Sequence, residues 1–530
     1  MSPELLTRTG ATTPSAAGER TARGRWSAGR WWLAAAILLS LVVTVRDLGD
    51  ADAYWRLALG RLITGHGLPG TEPFSFQAAA HPWVAQGWLT DVLISRLWAL
   101  AGAGLTMLAF GIAGSSAVLA AALAVPRRAA VPALARAAAV VAGAVVAAPL
   151  LGVRSQTLGV LGLALCLLLL SRWREGSSTR AVWLLAPLML LWANLDAGFV
   201  IGLVAVTLTG LAVALHRRFV PGSEPGARLR PLGLALLLAT AATLATPAGI
   251  HLYGSLGENL AGAGLGISGW QSPAFHTWPM RLVELEALTL VVLWTAAGRL
   301  DPVDAALGLA ALVATLYAQG TAAAFTIVAL PQIARYGTLA AARYGPRVVE
   351  ALGHGGVVVR RLPPRPRRLP AVALALIAAA VAAVVAPRLS PSHTAGVEAA
   401  TEPVAAAGYV AAHLAGDRLY SAVEWGGYLA ERFPDGRVVD AYGPPAAIGQ
   451  AAQQRYLDVH DLRADWRTVL REDGVTHAVL PQGSREVAAL EEVGWRSLCH
   501  DAAAGAVVIA AGPMPAPDAP IPDATAAPAC

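Results

Sequence analysis

Two aspartates one residue apart, Asp50 and Asp52, stand just after the first long apolar run of the chain. Carboxylates at that spacing suit two kinds of chemistry. They can take a proton from an acceptor hydroxyl, or hold a divalent cation that neutralises a leaving phosphate. The same pair, with Asp47 just before it, also reads as an N-cap with acids favouring a helix dipole. Arg154, with Gln156 beside it, stands at the start of another apolar run, where a guanidinium fork would match phosphate oxygens or simply anchor the helix at the interface. Arg56, four residues after Asp52, is a second candidate for the phosphate. Asn194 and Asp196 lie in Trp192-Ala-Asn-Leu-Asp-Ala-Gly198, between two apolar runs. Polar groups near membrane depth are costly and face a cavity or a partner, unless they cap a tight turn. His81, in a His-Pro-Trp segment, and Trp270 complete the candidate donor-binding set. For Trp270 and its neighbours His251, Tyr253, His276 and Trp278, a role as interfacial anchors competes.

Residues of this kind can act only if something holds them at a membrane surface, and composition supplies it. Of 530 residues, 56% are hydrophobic and 14% charged, with a mean hydropathy of +0.54. A soluble domain carries about 25% charged residues, so lipid must solvate most of this chain. All 40 basic residues are arginine, and the alanine, glycine and proline content suggests a GC-rich bacterial genome. Residues 1–387 carry 30 Arg and 16 acids, whereas residues 388–530 carry 10 Arg and 18 acids. The positive charge therefore belongs to membrane loops, and no basic stripe with interleaved aromatics suggests nucleic acid.

Eleven apolar runs lie near 31–45, 103–125, 133–153, 156–171, 181–195, 198–215, 231–248, 283–298, 303–318, 320–336 and 369–387, the pair around Asp196 being readable also as one broken helix. Several are short for about 30 Å of hydrocarbon and borrow flanking residues. Arginines cluster in alternate loops, so that 24 of the 30 before residue 388 fall on one side. The positive-inside rule makes that side cytoplasmic and sends the C-terminal portion outside a bacterial plasma membrane. The expected organisation is a polar, disordered tail over 1–30, an α-helical membrane domain over 31–387, a linker over 388–400, a soluble α/β domain over 401–512 and a Pro/Ala-rich tail over 513–530.

The outward surface begins with a long first loop, 46–100. Its apolar positions Trp55, Leu59, Leu62 and Ile63 share one helical face, with Arg56 and Arg61 opposite, as in a helix lying on the membrane surface. The C-terminal segment alternates strand and helix patterns, with strands expected at Arg418–Val423, Arg437–Asp440, His477–Leu480 and Ala506–Ala511 in a mostly parallel sheet. Gly426 and Gly427 read as close packing. Cys166 reads as a core residue, while Cys499 and Cys530 lie where a disulfide is permitted but not required. No C-x-x-C or H-E-x-x-H metal spacing occurs.

From Asp50 to about Val508 the chain resembles a broad family of bacterial multi-pass membrane proteins similar to GT-C-type glycosyltransferases. The residues concerned are D-x-D-x-Y-W at 50–55, L-x-x-G-x-x-I at 57–63, P-F-S-F at 73–76, H-P-W at 81–83 and W-L-x-D at 88–91. R-S-Q at 154–156, W-A-N-L-D-A-G-F at 192–199, A-T-P at 245–247 and W-G-G-Y-L at 425–429 continue the series. The resemblance implies an inverting enzyme with a polyprenyl-phosphate-linked sugar donor and an essential aspartate in the first outer loop, here Asp50 or Asp52. Two features depart from the family pattern: Arg56 and Asp196 replace histidines, and Gly-Thr-Ala at 320–322 stands where an arginine is expected. Two other readings compete, a lipid-linked-saccharide transporter and a non-catalytic envelope scaffold. The scarcity of ionisable residues in the middle of the spans counts against a transporter.

Overall fold

A computed structural model of the chain describes residues 16–49, 51–176, 179–220, 228–261, 271–351, 369–414, 416, 418–434, 438–443, 445–463, 465–511 and 528–530. Each of the eleven apolar runs falls on a helix. They are α1 (Ala16–Thr44), α3 (Trp88–Leu123), α4 (Ala133–Ala147), α5 (Ser155–Arg174), α6 (Leu185–Leu195), α7 (Phe199–Phe219), α8 (Leu229–Thr243), α10 (Trp278–Ala297), α11 (Pro302–Tyr317), α12 (Ala322–Ala351) and α13 (Leu369–Arg388). Two helices in loops, α2 (Ala51–His66) and α9 (His251–Ala261), complete this part. Among the described residues, five helices are both long and apolar enough to cross a bilayer. The chain is an α-helical polytopic membrane protein.

Helix α1 starts at Ala16, so residues 16–30 are helical rather than part of an unstructured tail. Helix α3 is broken at Ala101 and Gly102, whose backbone angles are non-helical. The break separates an amphipathic segment, 88–100, from the apolar run that follows it. Small residues let the helices close together, as in membrane bundles generally. Where α3 crosses α1, Ser115 Oγ lies 2.8 Å from both Ser40 Oγ and Thr44 Oγ1. Thr44 donates in turn to the Gly111 carbonyl.

After α13 come α14 (Pro391–Thr401), α15 (Val404–His413), β1 (Arg418–Ser421), α16 (Val423–Arg432), α17 (Pro445–His460), α18 (Trp466–Glu472), β2 (Val475–Pro481), α19 (Arg485–Glu492), β3 (Trp495–Asp501) and β4 (Ala506–Ala511). The linker is thus largely helix α14, capped by the Ser390 hydroxyl on the His393 amide. The sheet order is β1-β2-β4-β3. Only β1 and β2 are parallel; β4 runs antiparallel to both β2 and β3. The mostly parallel sheet expected from sequence is therefore a mixed one, because β3 and β4 form a hairpin whose turn uses Gly505 at φ +67°. Residues 438–440 contribute only bridges rather than a strand of their own.

The long loop after α1 and this domain share one core. Ser75 bridges Val439 in parallel register, and the Phe76 amide donates to the Val439 carbonyl, which extends the sheet edge by β-augmentation. Helix α2 is buried between α3 and α16, with Ala53 to Gly60 all inaccessible. Its apolar stripe meets the domain: Trp55 and Leu59 are buried in the core they share with it, and Leu62 and Ile63 pack against that core. A Cβ at Gly60 would stand 2.0 Å from the Asp91 carbonyl oxygen. Gly60→Ala should therefore push α2 off α3 and destabilise the protein by about 1–3 kcal/mol, read as a lower thermal midpoint in detergent. Gly426 plays the same part toward Ala441, whose carbonyl oxygen would lie 2.0 Å from a Cβ.

Candidate functional site

Five separate segments bring polar side chains together at the end of the bundle that meets the C-terminal domain. On α2, Arg56 has 6% of its surface exposed. Its Nη1 donates to Asp91 Oδ1 at 2.7 Å and its Nη2 to Ser155 Oγ at 3.0 Å. Asp91 is fully buried, one turn into α3. Arg56 Nε and Asp91 Oδ2 are buried without a hydrogen-bond partner among the described residues. Asp52, one turn before Arg56, accepts from the Trp55 indole N–H at 3.0 Å. The Arg56 guanidinium lies 4.4 Å from the Trp55 ring centroid. Asp52, Asp91 and Asp196 all act electrostatically on Arg56, so three carboxylates surround one buried cation.

The loop between α6 and α7 forms the next wall. Asp196 Oδ1 accepts from the Gly198 amide at 2.8 Å, a capped tight turn that separates two distinct helices. Its carboxylate rests where side chains at Gly159 and Gly198 would otherwise be. Asn194 Oδ1 accepts from the Trp88 indole N–H at 2.8 Å, and Thr90 donates to the Leu195 carbonyl at 2.6 Å. Arg154 is the half-buried residue preceding Ser155, at the N-terminus of α5. Gln156 is exposed, turned from the side on which Ser155 meets Arg56. His81 lies apart, its ring packed against Gly449 in the kink of α17. Asp50 and Trp270 lie outside the described residues. Among the described residues no group of three or more His, Cys, Asp or Glu is arranged to hold a metal ion.

The domain closes the site from above. Tyr442 is fully buried and donates its hydroxyl to Glu72, whose carboxylate also accepts from the Phe74 and Ser75 amides. Burial, then the Glu72 charge, pushes the Tyr442 hydroxyl well above the ordinary phenol range, so it stays a donor. Asn259 on α9 donates to Gln86 at 3.3 Å and accepts from the Ala446 amide at 3.1 Å. Sequence reasoning passed over Glu72, Tyr442 and Asn259, and met Ser155 only inside R-S-Q and Asp91 only inside W-L-x-D. A buried acid such as Glu72, in the loop after α2, carries no local signal.

Asp440 sits just behind Ser75, whose hydroxyl donates to its carbonyl at 2.5 Å. Burial pushes its carboxyl from the ordinary 3.8 up to about 7, against the opposing pull of the Ser421 amide and hydroxyl. The folded state thus keeps a proton that the unfolded chain releases near pH 4. That contribution is complete below about pH 4 and is lost as pH rises through about 7. Thermal midpoints in detergent should fall across this window, and Asp440→Asn should flatten the dependence.

At the other end of the bundle Arg174 and Arg335 pair with Asp301 and Asp304, and Tyr336 donates to Asp304 at 2.8 Å. Arg174, Asp304 and Arg335 border a cavity of about 50 Å³ between α5, α7, α11 and α12. In the C-terminal domain a disulfide joins Cys499 to Cys530, and residues 528–530 pair with His500 at the edge of β3.

No family model and no curated protein matches the chain. Among solved structures, its fold is similar to the archaeal oligosaccharyltransferase AglB from Archaeoglobus fulgidus, in complex with an inhibitory peptide and a dolichol-phosphate. The TM-score is 0.49 at 12% identity, covering 86% of this chain and 70% of that one. It is similar also to ArnT from Cupriavidus metallidurans in the apo state, with TM-score 0.47 and 17% identity over 94% of this chain and 100% of that one. ArnT bound to undecaprenyl phosphate gives TM-score 0.47 and 16% identity over the same shares. AglB and ArnT are GT-C glycosyltransferases.

Proposed function

We propose that the chain is an integral-membrane glycosyltransferase that moves a sugar from a polyprenyl-phosphate donor to an envelope acceptor on the outer face of a bacterial plasma membrane. The observation that carries this reading is the convergence of Asp52, Arg56, Asp91, Ser155 and Asp196 where the helix ends meet the C-terminal domain. Burying charges costs several kcal/mol each even when they are paired, and ionisable groups at membrane depth are kept where a reaction or a pathway needs them. Asp52, or Asp50, takes the proton of the acceptor hydroxyl, whose oxygen bonds to the anomeric carbon as the carbon–oxygen bond to phosphate breaks. The polyprenyl phosphate leaves and the anomeric configuration inverts.

Arg154 takes the donor phosphate. Arg56, with both Nη atoms already engaged, supplies positive field from behind Asp91. If the reaction uses a divalent cation, Asp50 and Asp52 are the residues to hold it. The arginine clusters at the opposite end and the disulfide near the C-terminus support an N-terminus in the cytoplasm and a domain in an oxidising compartment. Mass spectrometry of envelope glycolipids and glycoproteins from a deletion strain tests the proposal. A missing glycoconjugate identifies donor and acceptor class, and an unchanged profile overturns the reading.

A further inference from the structure

We infer that Trp55 is the positioning residue through which the C-terminal domain holds the reacting groups in place, an inference that rests on the glycosyl-transfer reading above. Residues three apart on a helix share a face, and here that spacing sets the indole of Trp55 over Asp52. Its Nε1–H donates to Asp52 Oδ1 at 3.0 Å. The ring faces the next side chain too, with the Arg56 guanidinium carbon 4.4 Å from its centroid. One side chain thus fixes the carboxylate by a hydrogen bond and the cation by its π face. Charged groups around Asp52 include Arg56 on its own helix and Asp91 on α3.

The far side of the indole belongs to the domain. Gly443, at φ +66°, brings its backbone so close that a Cβ would lie 3.4 Å from Trp55 Cε2. The Tyr442 ring stands 5.8 Å away, tilted by 53°. Tyr442 is held in turn by Phe74, at 5.7 Å between ring centroids, and by its hydroxyl on Glu72. Trp55 is 4% exposed, so no solvent competes for its N–H. A domain displaced from α2 would carry residues 441–443 away from Trp55 and free the indole that holds Asp52. The domain is therefore part of the site's geometry, whatever acceptor it covers.

The test separates the N–H from the shape of the ring. Benzothienylalanine in place of Trp55 keeps the bicyclic outline and lacks the donor. Membranes of the deletion strain carrying wild type, this protein, Trp55→Phe or Asp52→Asn are supplied only with their endogenous donor pool. The rate of formation of the glycoconjugate absent from the deletion strain is then recorded. The benzothienylalanine protein should keep the wild-type thermal midpoint and form product about ten-fold more slowly, the loss expected when a charged acceptor is no longer held. If it fails to reach the membrane, Trp55→Phe, which also lacks the N–H, carries the same comparison. A wild-type rate without the N–H, with Asp52→Asn inactive, reduces Trp55 to packing and leaves the enzymatic reading standing. An active Asp52→Asn removes this inference, and a deletion strain with no missing product removes that reading and this inference together.

Discussion

Asp52→Asn should lower sugar transfer by about 10²–10⁴-fold, the usual contribution of a positioned general base, while the protein still inserts and folds. The substitution keeps side-chain volume, and the amide oxygen can still accept the Trp55 N–H that now reaches Asp52 Oδ1. The first turn of α2 therefore retains its geometry, and what disappears is the negative charge and the capacity to take a proton. Asp50→Asn combined with Asp52→Asn should abolish the activity that remains if the two carboxylates substitute for one another. Product formation in membranes of the complemented deletion strain, normalised to the amount of inserted protein, measures the effect. A double variant within a few-fold of wild type would remove both aspartates from the chemistry.

The parts of the molecule that were legible in the sequence are those set by local rules. Continuous apolar runs of this length had to become helices, because within a bilayer only helices and closed barrels pair the backbone and barrel strands are shorter and alternate, and each of the eleven did. Gly426 needed no partner information, since a glycine pair opening a helix after a strand already reads as close packing. The parts that were not legible depend on contacts distant in sequence. A helical wheel puts Arg56 on the polar face of α2, yet that face is covered, by Asp91 of α3 and Ser155 of α5. Glu72 and Tyr442 meet across 370 positions. Strand β3, read as Trp-Arg-Ser-Leu-Cys-His-Asp, carries too few apolar residues to show a period of two and exists because β4 pairs with it. The disulfide was open in the sequence and forms because residues 528–530 run back along β3.

The second large effect concerns stability and chemistry at once. Removing Asp91 alone, as in Asp91→Leu, strands a guanidinium whose side chain is 7% exposed. Breaking one partner of a buried pair costs about 3–5 kcal/mol, because the remaining charge is left uncompensated. The thermal midpoint in detergent should fall sharply and inserted protein should drop. Asp52 and Asp196, the other carboxylates acting on Arg56, can recover only part of that loss by moving. Replacing both partners, Arg56→Leu with Asp91→Leu, removes the stranded charge and fills the space with apolar volume, so most of the stability should return. Transfer should not return with it, because the field that Arg56 supplies toward the donor phosphate is gone and Asp52 has lost its nearest cation. If the double variant regained both stability and transfer, the Arg56–Asp91 pair would be no more than a pin between α2 and α3, and the chemistry would rest on Asp52 and Arg154 alone.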